Sequence, residues 1–308
     1  MSDSSVLVVI PVFGREDVFT TVGFLRTRPY AGSLRFIIID NGNGPALSER
    51  LAGLAGPDCE VIRLERNRGG SGAFRAGMQA ALKRPDDTFV WLLDDDALVN
   101  DRTLPALLEE WKRLSGEGCR PGAVGSAMMG RVEPDRMIEL GSAISRLTSK
   151  QRPRFRGRTL AEVGERTDPV EYVAAASLLT TVGVIREVGI FEDVFIHFDD
   201  IEWNFRLHQR GYSVYATSKS YVNHIEKVAK ISNWIEYYNV RNRLWFLRRH
   251  LPLLHKVIVL ERLVRVVLYS CLGRRELARM MGLGLRHSFS GRLLMRDELL
   301  KVVCPCPK

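Results

Sequence analysis

Three adjacent carboxylates, Asp94, Asp95 and Asp96, follow directly on the apolar run Phe89-Val-Trp-Leu-Leu. Acids this close together at the mouth of a buried strand repel one another, so the arrangement makes most sense where a cation and hydrogen-bond donors occupy the site. A divalent metal bridging a diphosphate supplies both. The plainer reading is a solvated acidic turn ahead of the next helix. A second acidic cluster lies about a hundred residues further on, in Phe195-Ile-His-Phe-Asp199-Asp200-Ile-Glu202-Trp203. Helix capping accounts for one acid at a helix N-terminus, where negative charge is favoured. Two or three acids beside His197, Phe198 and Trp203 suggest a catalytic carboxylate next to aromatic walls that would hold a sugar ring. One of them can act as a general base on an acceptor hydroxyl while a diphosphate departs on the opposite side.

Two further signals are less specific. The segment Asn67-Arg-Gly-Gly-Ser-Gly-Ala-Phe74 follows a strand and enters a helix, and its glycines let backbone N–H groups approach a phosphate. It lacks the Gly-Lys-Ser/Thr of a Walker loop and follows the third strand, not the first as in a dinucleotide fingerprint, so a tight turn without ligand explains it equally well. His224, in Ser-Tyr-Val-Asn-His, reads on its own as a structural histidine more readily than as a ligand.

The elements that must position these residues alternate between strand and helix. Residues 6–10, 35–39, 61–64 and 89–93 are apolar runs of the kind that form buried parallel strands, and helices are expected over 17–25, 71–82 and 103–114. Such alternation predicts an α/β fold with a doubly wound, mostly parallel sheet, helices on both faces and ligands at the carboxyl ends of the strands. Residues 131–168, rich in Arg and broken by Pro134 and Pro153, read as a partly irregular excursion. Regular structure resumes over 171–181, and helices are expected over 201–210, stopped by Gly211, and over 237–250.

With 45% hydrophobic and 26% charged residues in 308, the chain has the composition of a folded globular protein, which excludes disorder and a polytopic membrane protein. The net charge of +9 is concentrated in residues 241–308, with 15 Lys and Arg against 4 Asp and Glu. No nucleic-acid-binding signature accompanies it, and the interleaved apolar residues favour an anionic membrane surface over nucleic acid as partner. Residues 251–272 carry too many charges to cross a bilayer. On a helical wheel His255, Glu261, Arg262, Arg265 and Tyr269 share one arc and most Val and Leu the other, as in a helix packed on the domain or seated on lipid. The start of the chain shows no signal peptide, and Cys59, Cys119, Cys271, Cys304 and Cys306 fit reduced thiols, so the expected location is cytoplasmic, peripheral on the inner face of the cell membrane.

Seven segments in order, PVFGR, IIIDNG, NRGGSGAF, VWLLDDDA, FIHFDDIEW with RLHQRGY, His224 and YYNVRNRL, resemble the family 2 glycosyltransferases. The likeness covers about residues 5 to 250 and is strongest to bacterial galactofuranosyltransferases and rhamnosyltransferases of cell-surface polysaccharide assembly. It implies a GT-A catalytic domain over 1–250 (a nucleotide-binding half to about 100, an acceptor half beyond) and a basic helical tail over 251–308. It implies an inverting, Mn2+- or Mg2+-dependent transfer from UDP-galactofuranose or dTDP-rhamnose to a lipid-linked or polysaccharide acceptor. By position, Pro11, Phe13, Arg15, Asp40, Gly69, Gly70 and Gly72 would hold the nucleotide, and Asp94 and Asp95 its ribose or diphosphate. Asp96 and His224 would bind the metal, Asp200 would be the base, and Asp199 and Trp203 would shape the acceptor site. Phe198 stands where the family often has an aromatic residue or tryptophan before the Asp-Asp pair, and Arg241 and Asn242 lie in a family pattern without an assigned role. A nucleotidyltransferase, a non-catalytic glycan or lipid-head-group binding module and an NAD-dependent oxidoreductase are the competing readings. Against the first, the chain has no basic loop after the first strand; against the second, no acid is lost and His224 is present; against the third, the first turn lacks the glycine pattern.

Overall fold

A computed structural model of the chain describes residues 4–28, 32–145, 151–225 and 233–303. Cys304 and Cys306 lie outside them, while Cys59, Cys119 and Cys271 are free thiols. The chain divides into two compact units, one formed by Met1–Ile144, Gln151–Asp193 and Asp200–Glu226, the other by Ser145–Lys150, Val194–Asp199 and Lys227–Lys308.

The first unit opens with strands β1 (Ser5–Val12), β2 (Ser33–Asp40), β3 (Cys59–Arg63) and β4 (Phe89–Leu93), separated by helices α1 (Asp17–Thr27), α2 (Pro45–Ala52) and α3 (Gly69–Ala81). All four strands are parallel in the order β3-β2-β1-β4, with Ile10 beside Ile38 and Val9 beside Leu92. Their β-branched residues are buried in β1, β2 and β4, as a sheet covered by helices requires, and half-buried in the edge strand β3. Helix α3 lies against β1 and β2. Gly77 makes this approach feasible, because a Cβ there would stand 2.1 Å from Val9 Cγ1.

Helix α4 (Thr103–Gly116) leads into β5 (Pro121–Gly130), a strand of small residues that the apolar pattern did not announce. The expected excursion then contains the short strands β6 (Met137–Glu139), β7 (Ser142–Ile144) and β8 (Gln151–Pro153), a one-turn helix α5 (Leu160–Val163) and β9 (Thr167–Val170). Next come β10 (Ser177–Thr181), α6 (Val182–Val188), α7 (Asp199–Gln209) and β11 (Ser213–His224). The main sheet runs β3-β2-β1-β4-β10-β5-β11-β9, with β6 paired to β5. Strand β10 is antiparallel to both neighbours, β4 and β5, whereas β11 is parallel to β5.

The second unit holds α8 (Asn233–His250), α9 (Pro252–Cys271), α10 (Arg275–Ser290) and α11 (Arg296–Val303). Helix α8 packs on α9 and α10, so the division falls ahead of this helix and not after residue 250. Its core is aromatic: Tyr237 and Tyr238 are fully buried, and their hydroxyls meet His287 Nδ1 (2.9 Å) and the Leu294 carbonyl (2.8 Å). Helix α9 turns its charged arc inward. His255, Ile258 and Arg262 are buried, with Arg262 paired to Glu236 (3.5 Å) and Glu261 (3.2 Å), while Leu253, Val257, Leu260, Val264, Val267 and Leu272 are exposed. No helix among the described residues is long and apolar enough to cross a membrane.

Candidate active site

The carboxyl ends of the parallel neighbours β1 and β4 deliver the first groups. The Phe13 N–H donates to Asp95 Oδ2 (3.0 Å), and the Arg15 guanidinium stands 4.0 Å from Asp95 and 3.6 Å from Asp96. Strand β11 brings His224 to the same place. Beyond a register shift between Thr217 and Tyr221, its Asn223 and the backbone of Leu98, just past the acids, exchange hydrogen bonds of 2.9 and 3.0 Å. His224 Nε2 then lies 2.9 Å from Asp96 Oδ1 and 3.3 Å from Asp94 Oδ2, while Nδ1 is 3.1 Å from the Ile225 carbonyl.

The groups of this cluster hold one another's charge. Burial pushes the Asp95 carboxyl up to about 7 despite the Phe13 N–H, and the charges of Asp94 and Asp96 add to the rise. Burial would also raise Asp96, but the hydrogen bond and charge of His224, with Arg15, hold it below its ordinary value. His224 would be lowered by burial, yet Asp94 and Asp96 outweigh this and lift it to about 10. The ligand atoms of Asp94, Asp96 and His224 all lie within 4.8 Å of one another. With Nδ1–H given to the Ile225 carbonyl, Nε2 is the nitrogen turned toward the two carboxylates, the orientation that metal-binding imidazoles take from their second hydrogen bond. Two carboxylate oxygens and one imidazole suit a divalent ion such as Mn2+ or Mg2+. Asp94, expected at the ribose or diphosphate, thus shares the cluster with Asp96 and His224.

Asp200 is the second residue of α7. Its Oδ2 accepts the Tyr172 hydroxyl (2.7 Å) and its Oδ1 the Ile201 N–H (2.8 Å). Asn204 ties this turn down, donating to the carbonyls of Asp200 (2.8 Å) and Val173 (3.2 Å). Burial raises the Asp200 carboxyl above its ordinary value, against these hydrogen bonds, and the charge of Asp94 raises it further. Glu139, buried at the end of β6 and hydrogen-bonded by Ser142 (2.7 Å), is raised by its burial and feels the charges of Asp200 and His224. Neither Tyr172 nor Glu139 carries a sequence signal, because both come from the segment read as irregular or just after it.

Several expected contacts require correction. Trp203 is fully buried, donates its indole N–H to the Gly189 carbonyl (2.7 Å) and packs on Phe191, so it has no surface to offer an acceptor. Asp199, the first residue of α7, is 8% exposed, the same as Asp96. Asp40 is 1% exposed, and its Oδ1 accepts both the backbone and side-chain N–H of Asn43 (3.0 and 2.8 Å). Asn43 in turn accepts the Gly14 N–H (2.7 Å), so Asp40 shapes the loop after β1 without facing a nucleotide. Pro11 is buried within β1 opposite Ile39. In the glycine loop, the Arg68 and Gly69 N–H groups are already taken by Asn41 (2.8 Å) and Asn67 (2.7 Å). Gly72 makes room for the Arg68–Asp193 ion pair, and Gly70 alone of the three is exposed with open space around it. Phe13, 42% exposed, and Arg15 stay open beside the acids.

Comparison with known proteins bears on the fold. The galactofuranosyltransferase GlfT2 of Mycolicibacterium smegmatis (strain ATCC 700084 / mc(2)155) is 23% identical over 78% of the chain, which spans 40% of that relative's length. A crystal structure of GalNAc-T7 with UDP, GalNAc and Mn2+ superposes with a TM-score of 0.56 at 15% identity, covering 80% of this chain and 50% of that one. The model of glycosyl transferase family 2 matches residues 7–157, from β1 through the three acids to β8. These residues, which carry the parallel strands and two of the three clustered side chains, are thus similar to glycosyl transferase family 2, and the fold is that of the GT-A glycosyltransferases.

Proposed function

We propose that the protein is an inverting glycosyltransferase that moves a sugar from a nucleotide diphosphate to an acceptor hydroxyl. The observation carrying this reading is that the ligand atoms of Asp94, Asp96 and His224 gather within 4.8 Å of one another, with the buried Asp200 carboxyl feeling the charge of Asp94. The acceptor oxygen forms the new bond to the anomeric carbon, its proton passes to Asp200, and the bond between that carbon and the diphosphate breaks with its electrons going to the leaving group. Tyr172 and the Ile201 N–H keep the Asp200 carboxylate oriented for this transfer. A divalent ion held by Asp94, Asp96 and His224, Mn2+ or Mg2+, would neutralise the diphosphate as it departs. Arg15 and the Phe13 backbone fix the acid turn against β1 and form the wall toward the nucleotide.

UDP-galactofuranose is the favoured donor, in keeping with what GlfT2 is named for, and dTDP-rhamnose the second. The acceptor would be a lipid-linked or polysaccharide glycan of the cell envelope. Helix α9 supports a membrane surface as the place of work: its outward face is apolar, and the exposed charges near its ends are five cations, Arg248, Arg249, Lys256, Arg274 and Arg275, against one acid, Glu276. Two copies packed through this face would oppose like charges in either direction, whereas an anionic lipid surface complements them. Release of nucleoside diphosphate from a panel of UDP- and dTDP-sugars, with and without Mn2+, tests the reading. Metal-dependent turnover of one donor that Asp200→Asn abolishes supports it; full activity in that variant removes Asp200 as base.

A further inference from the structure

The segment just ahead of Asp199 and Asp200 has an unusual backbone. Phe195, His197 and Phe198 have φ of 70°, 65° and 71°, in the left-handed region that bulky L residues avoid. Such a run persists only where its surroundings over-determine it. Helix α8 provides that surrounding through three residues at four-residue intervals on one face, Tyr238, Asn242 and Phe246.

Tyr238 stacks on Phe195, with ring centroids 4.8 Å apart and planes 19° from parallel, and Phe246 meets Phe198 at 5.9 Å. Between them Asn242, fully buried, donates its amide nitrogen to three carbonyls, Val194 (2.9 Å), Ile196 (2.8 Å) and His197 (3.2 Å). The left-handed residues bring these carbonyls to one side of the chain, where only a donor satisfies them. Arg241 donates Nη1 to Asn242 Oδ1 (2.9 Å), and its Nε reaches the Arg292 carbonyl (3.3 Å). The amide therefore has one orientation, oxygen to the guanidinium and nitrogen to the carbonyls.

We propose that Asn242 is a positioning residue for the reaction: by holding residues 194–198 in their left-handed course it fixes where α7 starts, and with it the carboxylate of Asp200. The proposal rests on Asp200 being the base. It gives the Arg241-Asn242 pair a role that helix stability does not demand, since none of the four contacts of the Asn242 amide lies within α8's own backbone ladder.

Asn242→Asp keeps the volume but sets an acceptor against three carbonyls. With UDP-galactofuranose and Mn2+ as probes, it should lower kcat for nucleoside diphosphate release by about 10–100-fold, the scale of a misplaced catalytic group, while UDP and metal affinity stay as in the unsubstituted protein. In Asn242→Ala, adding His197→Gly should recover part of the lost kcat, because glycine takes the left-handed backbone without strain. A folded Asn242→Asp with full kcat would overturn the proposal. So would an Asn242→Ala that loses kcat and UDP affinity together with no recovery from His197→Gly, which marks a purely structural residue. Failure of the base reading itself shows separately, as turnover retained in Asp200→Asn.

Discussion

Leu98 and Asn223 exchange two backbone hydrogen bonds, 2.9 and 3.0 Å long, and this bridge is what makes one site of two distant segments. It fixes the residue after Asn223, His224, against the acids that precede Leu98. The ligands thus sit on backbone locked in both directions, so little reorganisation remains to be done when an ion arrives.

Metal uptake should release a proton. Below pH 10 the metal-free His224 is held as an imidazolium by Asp94 and Asp96, but a ligand must be neutral. Metal affinity is therefore expected to rise about tenfold per pH unit between roughly pH 6 and 9. Calorimetric titration with Mn2+ in buffers of different ionisation enthalpy reads the proton directly. His224→Ala should abolish that slope, and an unchanged slope in this variant would exclude His224 as a ligand.

Tyr172→Phe removes a donor to the ionised form of Asp200, so the carboxyl, already raised by burial, should rise further. A base works deprotonated. The acidic limb of the kcat/KM profile should accordingly move to higher pH, with kcat at high pH reduced less than at pH 6. A limb that stays in place, or shifts to lower pH, would disconnect Tyr172 from the base.

Acid stability should depend on Glu110. Burial alone would raise this carboxyl, but hydrogen bonds from Arg113 (2.8 Å), Lys219 (2.6 Å) and Thr167 (2.8 Å) hold it down to about 2. A depressed folded value means the contribution is complete above the unfolded value of 4.5 and drains away as pH falls from there towards 2. Glu110→Gln should cost about 2 kcal/mol at pH 7 and flatten the loss of stability between pH 4.5 and 3 in urea unfolding.

Trp203→Phe should leave acceptor KM unaltered, whereas Trp203→Ala should destabilise the fold by about 3–5 kcal/mol. Both follow from an indole enclosed by Phe191 and the Gly189 carbonyl. A raised acceptor KM in the phenylalanine variant, at normal stability, would return Trp203 to the binding surface.

Binding to vesicles of phosphatidylglycerol should fall at least about tenfold in Leu260→Glu with Val264→Glu, since two apolar side chains leave the interface and like charge meets the lipid. Co-sedimentation at low and high salt measures it. Equal binding of the variant, or equal binding to neutral vesicles, would direct attention to a protein partner for α9.

The parallel strands, the acid turn and the start of α7 were legible because each is local: a β-branched run, three like charges, a glycine after a helix. Residues 121–130 were not, since their glycines and alanines carry no strand pattern, and β5 exists only because β10 and β11 flank it. The same holds for Tyr172 and Glu139, whose neighbours are supplied by pairing across the sheet. Trp203 misled for the converse reason: acids ahead of an aromatic suggest a sugar platform, but the indole is taken up by Phe191 and the Gly189 carbonyl, partners that no local pattern announces. The polar and apolar arcs of α9 were visible on the wheel, while the direction each faces needed α8 and α10.

The antiparallel strand between β4 and β5 also dictates an order of assembly. During synthesis the four parallel strands emerge first and can associate, but the free edge of β4 has no neighbour until β10 follows much later in the chain. Strand β5, made earlier than β10, cannot dock beside β4 in the meantime, because its place is one strand further out. A nascent chain therefore exposes an apolar sheet edge through the whole of residues 94–176, and chains halted in that interval are the ones expected to aggregate or to be held by chaperones.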